Sequence, residues 1–217
     1  MRFDDRRHAG RELAARLLEW VGDHDLTGVV VLALPRGGVP VAAEVAGALH
    51  VPLDVLVVRE IAVPGSPDVG IGAIVGEEPP LFDPVAMQAL HVSEDKLGAD
   101  VARERVELHR REALYREGRP APTVRGRSVV LVGDGLATGI TARAALRHLR
   151  RREPARLILA VPVCAPTTAA ALRDEADDVI CLREPSDFTA VQEWYADFGQ
   201  VSDGDVIADL RRPAAGV

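Results

Sequence analysis

The chain has 217 residues, 47% of them hydrophobic but only 4% aromatic, so a single α/β domain spanning 1–217 would carry a core of Val, Leu, Ile and Ala. A formal net charge of −7 argues against a general nucleic-acid binder, which needs a basic face. No apolar run approaches membrane-spanning length, and the N-terminus lacks the uninterrupted apolar core of a signal peptide, so a soluble, cytoplasmic protein with no membrane partner is expected.

Asp4 or Asp5 can cap a first helix that carries Leu13, Leu17 and Trp20 on one stripe and ends near Gly22; His8 and His24 read as surface residues. Residues 28–34 form a buried strand, broken abruptly by Pro35-Arg36-Gly37-Gly38-Val39-Pro40. A helix follows through Val41, Val45, Ala46 and Leu49. In that break two glycines expose backbone amides, and Arg36 offers a permanently charged fork suited to phosphate. A plain turn has the same outline.

Residues 53–58 read as a third strand leading into Arg59-Glu60. Residues 62–73 are rich in Pro and Gly and read as a connector, with Ile74-Val75 as a short strand after it. Asp83 or Pro84 begins a helical region of about 84–117, and Ser93-Glu94-Asp95-Lys96 resembles a helix start. From Leu97 to Arg116 the chain is densely charged, with Leu97, Val101, Leu108 and Tyr115 on a narrow stripe that packs on the domain. The charged remainder reads as a solvated face and leaves a homodimer contact open. Gly118-Arg119-Pro120-Ala121-Pro122 ends this region.

Residues 129–133 read as a fully buried parallel strand, and Asp134-Gly135-Leu136-Ala137-Thr138-Gly139-Ile140-Thr141 follows it. A helix opens in Ala137-Thr138-Gly139-Ile140-Thr141 and runs through Leu149. A small-residue loop at a helix N-terminus points free backbone amides and the positive end of the helix dipole at one spot, which suits a phosphate. Thr138 and Thr141 add hydroxyl donors, and Gly139 lets a ligand approach the backbone. Residues 155–163 are another core strand, a helix runs from Ala165-Pro166-Thr167-Thr168 to Leu172, and residues 178–182 are a strand again. This alternation favours a parallel sheet with helices on both faces and ligands at the carboxyl ends of the strands. Cys164 and Cys181 each sit in an apolar run and read as buried free thiols. Phe188, Trp194, Tyr195 and Phe198 cluster near the end, before a structural helix over 203–210.

The apolar strand, the acid and the small-Thr-Gly-x-Thr loop resemble the phosphoribosyl-pyrophosphate (PRPP) signature of the type I phosphoribosyltransferases, and Pro35-Arg36-Gly37-Gly38 resembles that family's pyrophosphate loop. The two loops, in this order and each after a buried strand, carry the resemblance together. It implies an α/β fold with a mainly parallel five-stranded sheet flanked by helices. It also implies a mobile loop or short hairpin and a small hood from the chain termini, here about 185–212. Arg59, Pro64, Gly65, Pro67, Asp68, Gly72 and Ala73 fit one poorly characterised bacterial branch. Two departures stand out: Gly133 replaces the first of the family's two acids, and Glu60 stands where a lysine is expected.

The resemblance further implies Mg²⁺-dependent transfer of a 5-phosphoribosyl group from PRPP to a small-molecule, nucleobase-like acceptor, with release of pyrophosphate. Arg36 and Asp134 would be the catalytic residues. Pro35, Gly37, Gly38 and Arg59 would bind the pyrophosphate side, and Gly135, Leu136, Ala137, Thr138, Gly139, Ile140 and Thr141 the phosphoribosyl side. Asp134 would hold a ribose hydroxyl, directly or through the metal. Ala137 stands where purine-specific members carry an acid, which leaves the acceptor unidentified. The hood aromatics would either stack on an acceptor base, or pack the hood onto the domain or form a dimer interface. Two alternatives share the fold: a non-catalytic PRPP or nucleotide sensor, and a hydrolase or transferase using another phosphorylated sugar.

Overall fold

The computed structural model describes residues 2–21 and 28–212, apart from the side chains of Val21, Pro67 and Asp68. Gly22 and His24 lie outside the described residues. Helix α1 (Arg6–Val21) precedes β1 (Val30–Ala33), α2 (Gly38–Leu49) and β2 (Leu53–Val55). Later in the chain come β6 (Ser128–Val132), α5 (Ile140–Arg150), β7 (Arg156–Val163), α6 (Pro166–Leu172) and β8 (Asp178–Arg183). These five strands form one parallel sheet in the order β2-β1-β6-β7-β8.

Both faces of the sheet are covered, which is why its strands read as unbroken apolar runs rather than alternating ones. Val31 and Ala33 of β1, with Val130 and Val132 of β6, join α1 and α2 in one core. Val30 and Leu32, with Val129 and Leu131, join α5 and α6 in the other. The two-residue period of a strand divides neighbouring side chains between these cores.

The reading of 53–58 as one strand is corrected. Only Leu53–Val55 pair with β1; the chain then leaves the sheet, and Val58 begins β3 (Val58–Val63) of a second sheet. Leu56 and Val57 are buried at the crossing, so the apolar run reported burial there and not pairing. The connector over 62–73 is corrected too. Pro64-Gly65 forms the turn of an antiparallel hairpin, with Val63 opposite Ser66 and Gly65 at φ +81°. Its second strand, β4 (Ser66–Val75), is ten residues long where only Ile74-Val75 was expected, and β5 (Leu81–Phe82) completes this sheet.

Asp83 caps α3 (Pro84–Ala89) by accepting from the amides of Val85 and Ala86. A single 3₁₀ turn over Glu94–Lys96 leads into α4 (Gly98–Arg116), whose Leu97-Leu108-Tyr115 stripe is fully buried as expected. At the end of the chain Phe3 pairs with Tyr195, tying the N-terminus to the segment before α7 (Asp203–Leu210). Cys164 and Cys181 are free thiols.

Candidate active site

Neighbouring strands β1 and β6 end side by side, with Ala33 opposite Val132, so the chain must leave both at one spot on the sheet edge. Leu34 donates its amide to the Val132 carbonyl at 2.8 Å, which carries the pairing into the loops. There the Pro35-Arg36-Gly37-Gly38 loop, whose Pro35–Arg36 peptide is cis, presses on the Asp134 loop. A Cβ on Gly37 would lie 2.0 Å from Oδ2 of Asp134, and one on Gly38 would lie 2.7 Å from the Val132 carbonyl oxygen and 3.1 Å from Cα of Gly133. Only residues without side chains allow this approach.

The second loop is pinned from below. Leu136 donates its amide to the Val163 carbonyl at 3.0 Å and accepts from the Ala165 amide at 3.0 Å. The Thr168 hydroxyl donates to the Ala137 carbonyl. Gly139 sits at φ +74° as the N-cap of α5, where a Cβ would lie 2.5 Å from the Thr168 methyl. The helix therefore opens at Ile140, within the stretch where the sequence reading placed its start. Leu136 and Ile140 turn their side chains into the core, so what they offer a ligand is backbone. Ala137 and Thr138 are exposed on the rim and Thr141 is half-buried. Neither α2 nor α5 has a side-chain cap; the Gly38 and Val39 amides of α2 donate to the Leu34 and Arg36 carbonyls, whereas the first amides of α5 have no side chain accepting from them at the N-cap.

Arg36 projects from the first loop, half-buried, with Nη1 at 3.8 Å from Oδ1 of Asp203 at the start of α7. The same Oδ1 accepts from the Tyr115 hydroxyl at 2.6 Å. Burial, reinforced by that bond and by the Asp203 charge, pushes the Tyr115 phenol above its ordinary range and keeps it a donor.

Asp134 has a partner that the sequence reading missed. Arg6, the first residue of α1, donates from Nε to Oδ2 at 2.9 Å. The Tyr195 hydroxyl donates to the backbone carbonyl of the same aspartate. No local pattern marks Arg6, which sits in a run of charges at a helix start and meets its partner across 128 positions.

Arg59 and Glu60 lie on β3, not in the two loops. Arg59 is paired with Glu104 of α4 at 2.7 Å. The Glu60 carboxyl lies over Gly70, where a Cβ would come within 2.3 Å of its Cδ; burial pushes this acid above its usual range against the opposing charge of Arg59. Of the aromatics, Tyr195 is buried against Phe3 and Phe198, and the Phe198 ring carries the Arg6 guanidinium at 3.7 Å. These two rings pack the N-terminal and C-terminal segments against each other.

Residues 5–199 match the family model described as the phosphoribosyl transferase domain. The chain belongs to that family. The phosphoribosyl transferase domain here is 42% identical over 210 residues to the Mycobacterium tuberculosis H37Rv protein named "Putative phosphoribosyl transferase Rv0571c". That match takes in 97% of this chain and 46% of the other, so the chain spans about half the length of the curated relatives it matches. Among solved structures, TT1426 from Thermus thermophilus superposes with a TM-score of 0.77 at 43% identity, covering 97% of this chain and 98% of that one. The AQ2163 protein from Aquifex aeolicus shares the fold, with a TM-score of 0.54 at 12% identity over 98% and 86% of the two chains. The architecture is that of the type I phosphoribosyltransferases: α/β, with a five-stranded parallel sheet flanked by helices.

Among the described residues no helix is long and apolar enough to cross a membrane, and no group of three or more His, Cys, Asp or Glu is arranged to hold a metal ion.

Proposed function

We propose that this domain binds PRPP across its two contacting loops and transfers the 5-phosphoribosyl group to a small-molecule acceptor, releasing pyrophosphate in the cytoplasm. One observation carries the reading: the Gly37 backbone touches the Asp134 carboxylate, so a phosphate on each helix N-terminus could belong to one sugar. The amides from Ala137 to Thr141, with the Thr138 and Thr141 hydroxyls, take the 5′-phosphate and fix the position of the anomeric carbon. Asp134 accepts from a ribose hydroxyl. The Gly37 amide and the Arg36 guanidinium take the pyrophosphate and stabilise the charge that builds on it as the glycosidic bond breaks, while Gly38, its amide held by the Leu34 carbonyl, leaves room for the close approach. Arg36 needs only to exchange a half-exposed carboxylate, Asp203, for the phosphates. Arg59, paired with Glu104, would reach a ligand only by leaving that carboxylate.

The donors present fit a magnesium ion that arrives with the substrate. Asp134, the carboxylate that abuts Gly37, already gives Oδ2 to Arg6, so most ligands would come from PRPP and water. Held by Asp134 in this way, Mg²⁺ would supply charge neutralisation to the departing pyrophosphate.

A second reading, a PRPP or nucleotide sensor without turnover, draws on Gly133 in place of an acid and on the engagement of Asp134 by Arg6. Isotope-labelled PRPP separates the two. Magnesium-dependent pyrophosphate release that requires an acceptor supports transfer. Tight binding with no release across a broad acceptor panel supports the sensor, and release without any acceptor points to hydrolysis. No binding at all defeats all three.

A further inference from the structure

We propose that Arg6 is a positioning residue of the donor site: it neutralises and orients Asp134 and couples the C-terminal segment of the chain to the phosphate loop. The inference rests on the PRPP reading above. Three contacts hold the guanidinium, each from a different direction. The Nε edge donates to Oδ2 of Asp134 at 2.9 Å, Nη1 donates to the Gly199 carbonyl at 2.7 Å, and the planar face lies 3.7 Å from the Phe198 ring centre. Only 11% of the side chain is exposed. An arginine on the surface of a helix start swings freely; this one is fixed before any ligand arrives.

Its place explains why an acid can stand in a loop that receives phosphates. A bare carboxylate at the Asp134 position would repel a polyanion. With a guanidinium on Oδ2 the local charge is balanced, and the carboxylate still accepts from a sugar hydroxyl. Oδ2 is also the atom that abuts Gly37, so Arg6 sets the spacing between the loops that take the two ends of the donor. The backbone of Asp134 is held from the same direction, by the Tyr195 hydroxyl on its carbonyl. Tyr195 and Trp194 are in turn fixed to the N-terminus, where Phe3 donates its amide to the Trp194 carbonyl and accepts from the Ala196 amide. Any shift of Asp134 on binding is therefore passed to residues 194–199 by two routes, its carboxylate through Arg6 to Phe198 and Gly199 and its carbonyl through the Tyr195 hydroxyl.

The chain has two tryptophans, so in a Trp20→Phe background Trp194 reports alone. PRPP with Mg²⁺ is titrated into that protein and into its Arg6→Gln, Arg6→Lys and Phe198→Leu variants, by calorimetry and by Trp194 emission. The background protein should bind and shift its emission. Arg6→Gln should bind about tenfold or more weakly and show a smaller shift, since it gives up a charge-assisted bond and leaves only the Tyr195 route to Trp194. Arg6→Lys should recover part of the affinity, because it restores the charge but not the fork or the stacked face. Phe198→Leu keeps both hydrogen bonds and should fall between; it carries the test if Arg6→Gln does not fold. Unchanged affinity and emission in Arg6→Gln, or in Phe198→Leu where that variant stands in, overturns the inference. Tighter binding overturns it as well, by making Arg6 a latch that the donor displaces. A background protein that binds no PRPP overturns the donor reading itself, and that result is seen before any Arg6 variant is made.

Discussion

Replacing Gly37 with alanine would place a methyl carbon 2.0 Å from Oδ2 of Asp134 and 2.6 Å from its Cγ, far inside any allowed approach. The backbone is no obstacle, since Gly37 sits at φ −58°, ψ −34°. All the strain therefore comes from one carboxylate, and Oδ2 is already held by Arg6 at 2.9 Å. If the loops hold, the cost is that of overpacking, about 1–3 kcal/mol. If Asp134 gives way, the cost is a charge-assisted hydrogen bond, about 1.5–3 kcal/mol. About 2 kcal/mol is common to both routes and lowers Tm by about 4–8 °C in a domain of this size. Gly47 in the same helix is the control, because a Cβ there meets nothing within 4 Å. Gly47→Ala should raise stability by about 0.5–1 kcal/mol through the entropy of the unfolded chain. Scanning calorimetry of both variants, with and without PRPP, reads the difference. Gly37→Ala melting with the parent and still stabilised by PRPP to the same degree would show that the two loops are not in contact.

Arg36→Ala should lower turnover by about a hundredfold or more, the scale for losing a group that stabilises transition-state charge. Its half-exposed contact with Asp203 at 3.8 Å is worth less than about 1 kcal/mol, so Tm should hardly move; equal losses in both would reduce Arg36 to a scaffold residue. Gly133→Asp restores the missing acid where a Cβ makes only ordinary contacts, 3.6 Å from Val161 and 3.8 Å from Leu34. It should tighten PRPP binding in the presence of Mg²⁺, and an unchanged calorimetric titration would remove ribose recognition from that position. His148 is buried on α5, and burial, helped by the Arg152 charge, lowers its pKa from 6.5 to about 4 despite Glu78 at 2.9 Å. The unfolded chain therefore takes up the proton first, and stability should fall as pH drops from about 6.5 towards 4. His148→Gln should flatten denaturant midpoints across that window, and an identical pH slope would mean that His148 takes up its proton alike in the folded and unfolded chain.

What could be read from the sequence follows the reach of each interaction. The strands of the parallel sheet were legible because both faces are buried, and the two glycine-bearing loops because their chemistry lies within a few consecutive residues. Burial alone misled at Leu56 and Val57, where an apolar run crosses from one sheet to another. The hairpin over 58–75 was anticipated only as a mobile loop or short hairpin through the family resemblance, because its turn, Pro64-Gly65, lies in a stretch whose remaining prolines and glycines sit within β4, where they looked like loop. Arg6 was not legible at all. Its role depends on Asp134, Phe198 and Gly199, three partners that only the folded chain brings to it.

A crystal structure of the domain soaked with PRPP and Mg²⁺ bears most directly on the joining of two loops into one donor site. The expected electron density has the pyrophosphate on Arg36, Gly37 and Gly38, the 5′-phosphate on the amides from Ala137 to Thr141, and the ribose over Asp134 between them. Density confined to one loop, or lying elsewhere on the molecule, would contradict it.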